Sequence, residues 1–173
     1  MRQLEPWATS YTHVYEGTGL LTDKTVLAHC IHLGDDEVKA IKESGAGVAH
    51  CPNSNCSIRS GNMDARKMQA EGIRFGLGTD CSAGYSSSVL ENMRFAVATS
   101  NQMHINRLGD SDYRPLSYAD VFYLGTLGAA LATRLDHKVG SLEVGLRCGQ
   151  LSLWSRWHSK LNHFSFRVTG STA

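Results

Sequence analysis

Three short apolar runs constrain this chain more than anything else in it: Thr25–His29, Gly47–His50 and Phe75–Asp80. Each closes on a side chain that can bind a metal or carry a proton, namely His29, His50 and Asp80. The closing residues stand 21 and 30 positions apart, and the stretches between them read as helices. A run that is apolar throughout suits a parallel strand covered on both faces. Strand, polar tip, helix and strand again is how a (β/α) barrel assembles an active site. The pattern predicts an α/β fold of TIM-barrel type, with its chemistry at the strand tips.

A closed barrel takes eight such units and typically about 250 residues. This chain has 173 residues and three legible strands. The expectation is a partial (β/α)8 barrel over residues 1–145 that does not close within this chain. Residues 146–173 form a second segment. Up to residue 143 the chain holds all 16 acids against 13 Lys and Arg. From residue 144 it holds no acid, four bases (Arg147, Arg156, Lys160, Arg167) and two of the three tryptophans. This segment reads as a divergent basic tail, disordered or irregular.

Within the barrel segment, Asp35-Asp36-Glu37 opens a helix, since acids in a first turn match the helix dipole. Val38 and Ile41 face inward, and Gly45 stops it. Cys51 to Asn55 reads as a polar loop, because Pro and Asn supply turn geometry. A short helix is predicted from about Met63 to Ala70, ending at Gly72. A longer one spans 86–102, with Val89, Met93, Ala96 and Val97 as its stripe. Ser117-Tyr118-Ala119-Asp120 resembles a capping box, and the helix it starts carries Val121, Leu124 and Leu131. Residues 1–22 show no firm pattern.

The net charge of +1 gives no field for nucleic acid or membrane. No apolar run approaches the ~20 residues of a membrane span, and no secretory or basic targeting pattern opens the chain. Five cysteines, an odd number, read as reduced thiols. A cytoplasmic enzyme is the expectation.

Asp80 at a strand tip can bind zinc and act as a base toward zinc-bound water. A helix cap or loop aspartate is the plain alternative. His29 is either a neighbour of zinc hydroxide and substrate or a hydrogen-bonded strand end. His50 and His32 read as residues behind the site. Cys51 and Cys56 lack a second pair at finger spacing. Gly76-Leu77-Gly78 lacks the third glycine of a dinucleotide loop. No His-x-His occurs, and His13-x-x-Glu16 lies too close to His29 to supply a separate strand tip.

Leu20–His29, Ala49-His50-Cys51-Pro52-Asn53-Ser54-Asn55 and Gly76-Leu77-Gly78-Thr79-Asp80 resemble the guanine deaminases of the amidohydrolase superfamily. Gly84-Tyr85-Ser86 and the Met93–Asn101 segment strengthen the resemblance, which covers about Tyr11 to Gly145. It implies strands six to eight of the family's barrel. Also implied are one zinc ion, with Asp80 as a ligand and proton shuttle, and His29 facing the hydroxide and the substrate. His50, Asn53 and Asn55 would sit behind the site or in the pocket. The implied reaction is the purine-catabolic hydrolysis of guanine by water to xanthine and ammonia. A homodimer is left open as a partner, as are a non-catalytic interaction role and another purine substrate. The family's His-x-His and His-x-x-Glu would lie ahead of residue 1. Little catalysis is therefore expected of residues 1–173 alone, and the departure after Gly145 reads as an exon or frame change.

Overall fold

A computed structural model describes residues 6–107 and 112–147, together with the backbone of 150–154 and 165–169. Three parallel strands form its sheet: β1 (Val26–Ala28), β2 (Gly47–His50) and β3 (Phe75–Leu77), in that order. Val26 pairs with Gly47 and Ala28 with Ala49; His50 pairs with Leu77. This register brings the C-terminal ends of all three strands to one rim, and His29 follows β1 there as Asp80 follows β3.

Seven helices surround the sheet among the described residues: α1 (Tyr11–Gly17), α2 (Asp35–Ser44), α3 (Pro52–Ser57), α4 (Ala65–Ala70), α5 (Val89–Asn106), α6 (Tyr118–Gly125) and α7 (Leu127–Ala132). α2 begins with its three acids and ends at Gly45, whose φ of 71° is the left-handed stop expected of it. α6 opens on the predicted capping box: Ser117 accepts from the Asp120 amide, and the Asp120 carboxylate accepts from the Ser117 amide. Val38, Ile41, Val48, Phe75, Leu77, Ala96, Val121 and Leu124 meet in one core.

Several expectations are corrected. β1 is not covered on both faces: Val26, which is 44% exposed, and Ala28 lie on one face and are exposed, while Leu27 on the other is partly buried. The Cys51–Asn55 stretch is not a loop but the start of α3, with Pro at its first position. On α5, Met93, Ala96 and Val97 pack on the core as expected, but Val89 is exposed and the fully buried positions include the polar Asn92 and Ser100. Ser100 earns its place through the hydroxyl of Tyr113 (3.0 Å) and the amide of Leu116 (2.9 Å). The helix from Ser117 breaks at Thr126, so Leu131 belongs to α7. Ser10 caps α1 in a stretch that shows no sequence pattern. Most of the 146–173 tail lies outside the described residues; within it, β4 (Gln150–Trp154) and β5 (Ser165–Thr169) pair antiparallel.

α7 crosses β2 and β3 closely. A Cβ at Gly47 would run into the carbonyl of Ala132, and one at Gly76 into the backbone of Ala129. Only glycine lets the helix approach the sheet this near.

Candidate active site

The backbone at two strand tips is bent out of the ordinary regions. His29 (φ 70°), Cys30 (φ 46°) and Asp80 (φ 45°) all have left-handed conformations. Such geometry is uncommon without glycine and costs of order ~1 kcal/mol or more per residue. Strain of this kind concentrates at functional sites, and here it turns two side chains toward each other. His29 Nε2 lies 3.6 Å from Asp80 Oδ2, although β1 and β3 are not neighbours in the sheet.

α3 supplies the support. Asn55 Oδ1 sits 2.8 Å from His29 Nδ1, and Ser54 Oγ donates to Asp80 Oδ2 at 2.5 Å. Asn53 Oδ1 accepts from the Ser57 hydroxyl (3.2 Å) and the Tyr85 amide (3.3 Å), tying α3 to the loop after Asp80. All three of these α3 residues are fully buried. His29 and Asp80 keep about a third of their side chains exposed, at 36% and 38%. The pair thus has a buried polar floor and a solvent-facing side.

His50 lies beneath, 2% exposed, with its Nδ1 unpartnered among the described residues. Burial, and secondarily the nearby His29, push its pKa down to about 4, so the ring is neutral near pH 7. Asn53 Nδ2, Asn55 Nδ2 and Asn92 Oδ1 are likewise buried without partners among the described residues. Cys51 is held as a thiol: burial, then the charge of Asp80, raise its pKa to about 11.

Of the residues singled out in the sequence, His29, Asp80 and Asn55 come together directly, while Asn53 and His50 pack behind them. Ser54 is the residue that sequence reading misses. Its only signal is its place between two asparagines just after a proline. His32 is apart, with Nε2 on the Ser60 carbonyl at 2.8 Å. His13 and Glu16 line a different groove with Asp35, Asp36 and Glu37.

A model of the amidohydrolase family matches residues 8–148. This chain belongs to the amidohydrolase family. Among its amidohydrolase relatives, the guanine deaminase of Dictyostelium discoideum is 40% identical over 145 residues, which are 84% of this chain and 32% of the relative. The chain spans about a third of the length of the curated relatives it matches. A guanine deaminase from C. acetobutylicum, solved with guanine bound in the active site, is 33% identical with a TM-score of 0.74. That similarity covers 83% of this chain and 33% of the other. An adenosine deaminase from Xanthomonas campestris with bound zinc is 26% identical, with a TM-score of 0.70 over 80% of this chain and 30% of that one.

Zinc in a catalytic site takes about three protein ligands and a water. The described residues contain no group of three His, Cys, Asp or Glu that could hold a metal ion. Asp80 and His29 fit one side of such a site and do not complete it.

Proposed function

We propose that this amidohydrolase chain forms one wall of a guanine-deaminating site, built on strands that correspond to the sixth, seventh and eighth of a (β/α)8 barrel. One observation carries the reading. In a chain 40% identical to a guanine deaminase, two polar tips from non-adjacent strands face each other at 3.6 Å over a buried polar floor. The reaction adds water to the guanine carbon that bears the amino group. The water's proton passes to the Asp80 carboxylate and from there to the amino nitrogen. Ammonia leaves, and the product is xanthine. His29 faces the attacking water and the substrate. Asp80 is one ligand of a single zinc ion whose other ligands are not among the described residues.

The test is a chimaera in which residues 11–145 replace the matching segment of the Dictyostelium enzyme. Conversion of guanine to xanthine is expected, with loss of that activity on Asp80→Asn. A folded, zinc-loaded chimaera that deaminates adenosine and leaves guanine untouched would overturn the substrate assignment.

A further inference from the structure

The two strand-tip groups are gripped by consecutive residues of one buried turn. Asn55 holds His29 and Ser54 holds Asp80. Neighbouring residues on α3 thus reach groups that belong to the two outer strands of the sheet. The chemistry of the two contacts is directional. An amide oxygen can only accept, so the contact to Asn55 Oδ1 requires the proton of a neutral His29 to be on Nδ1. Nε2 is then a bare acceptor, and it is Nε2 that faces Asp80. The Ser54 hydroxyl proton is committed to Asp80 Oδ2, which fixes the rotation of that carboxylate. Two acceptors, one nitrogen and one oxygen, are left 3.6 Å apart.

We propose that Ser54 and Asn55 are positioning residues, which lock His29 in its Nδ1–H tautomer and orient the Asp80 carboxylate so that both present lone pairs to one donor. Resting on the assignment of His29 and Asp80 as the reacting groups, it names what sets their geometry. A pair of lone pairs aimed at one point suits a water molecule with two protons to give. It repels any acceptor atom placed there. Groups that hold a reacting histidine or carboxylate from behind typically matter by about 10–100-fold in activity. Neither residue touches substrate in this scheme. Each acts through the residue it holds.

The tautomer is read directly by long-range proton–nitrogen correlation spectra of the full chain labelled with ¹⁵N-histidine, recorded above the pH range in which histidine titrates. His29→Gln identifies the His29 signals. The wild-type chain is expected to show Nδ1–H. Asn55→Ala is expected to move His29 to the Nε2–H form that free imidazole side chains favour. Asn55→Asp, which keeps an acceptor in place, is expected to retain Nδ1–H. Nε2–H in the folded wild-type chain would overturn the proposal, as would an unchanged tautomer in folded Asn55→Ala. Kinetics of the chimaera give a second reading that does not depend on Asn55→Ala. Ser54→Ala is expected to lower kcat by about 10–100-fold with little change in KM for guanine, and an unchanged kcat would refute the Ser54 part. No turnover enters the tautomer measurement. A chimaera with Nδ1–H at His29 that ignores guanine would sink the substrate reading and leave the positioning geometry standing.

Discussion

His50 sits neutral at the end of β2, and the cost of charging it there has a sign that can be worked out. Its pKa falls from an ordinary 6.5 to about 4 on folding, chiefly through burial. Between those values the unfolded chain binds a proton that the folded chain refuses. The folded state is therefore at full strength above the unfolded value and loses stability as pH falls toward 4, at up to ~1.4 kcal/mol per pH unit. A lower urea midpoint is expected at about pH 5 than at about pH 7.5, and His50→Leu should shrink the difference. An equal difference in wild type and variant would show that other groups set it. Cysteine chemistry follows the same residue-level logic. Cys30 and Cys51 are buried thiols with pKa values pushed up to about 12 and about 11, burial being the larger cause in both. Cys56 and Cys81 are exposed free thiols. Alkylation followed by peptide mass mapping should label Cys56 and Cys81 well before Cys30 and Cys51. Position singles out Asp80 and His29 in the sequence, since each closes an apolar run, although a cap or a strand end would explain that position equally well. Ser54 is invisible by the same criterion, because what singles it out is its hydrogen bond to Asp80, 26 residues away.

Among the elements, α3 shows where sequence patterning stops. Pro52, Asn53, Ser54 and Asn55 carry turn chemistry, and side chains of this kind compete with the backbone for hydrogen bonds. The competition disappears once those side chains find other partners: His29, Asp80 and the Tyr85 amide outside the helix, and Ser57 within it. Pro at the first helical position then starts the helix rather than breaking it. The strands, α2 and the capping box of α6 are legible because their signals are local. The break at Thr126 has no side-chain cap to announce it, and α7 beyond it packs closely on the sheet. That packing is testable at Gly47. Alanine there would meet the Ala132 carbonyl, which belongs to backbone and cannot swing aside. Gly47→Ala is expected to destabilise the chain by roughly 1–3 kcal/mol in urea unfolding, whereas Gly72→Ala has open space in front of its Cβ and is strained only by its φ of 72°. The capping box gives a smaller effect. Asp120 serves both Ser117 and the guanidinium of Arg66, which donates to Asp120 Oδ2 at 2.8 Å. Burial works against its ionisation, but Ser117 and Arg66 together hold its pKa below the ordinary carboxylate value. Loss of the Ser117 hydroxyl alone should cost about 1 kcal/mol.

At the scale of the whole molecule, the decisive quantity is how many metal donors the chain can bring to one point. Asp80 and His29 face each other, His50 is buried, and Cys51 is a thiol kept protonated by burial first and by the neighbouring Asp80 charge second. One carboxylate ligand with a histidine beside it gives a zinc ion neither the charge nor the geometry of a catalytic site, which takes about three protein ligands. The sheet is equally partial: β1 and β3 each have a neighbour on one side only among the described residues. Purified residues 1–173 are therefore expected to hold well under one zinc per chain after dialysis and to turn over guanine at a negligible rate. The same residues placed in the chimaera should be active. Elemental analysis of the dialysed chain, run beside a xanthine assay, separates the alternatives cleanly. Stoichiometric zinc with guanine turnover that Asp80→Ala abolishes would mean that this chain completes the site from residues beyond those described. Zinc-free, inactive protein with native-like circular dichroism would locate the shortfall in the ligand set and not in folding. His29, Asp80, Ser54 and Asn55 would then be an assembled half of an active site, folded and waiting on ligands it does not itself contain.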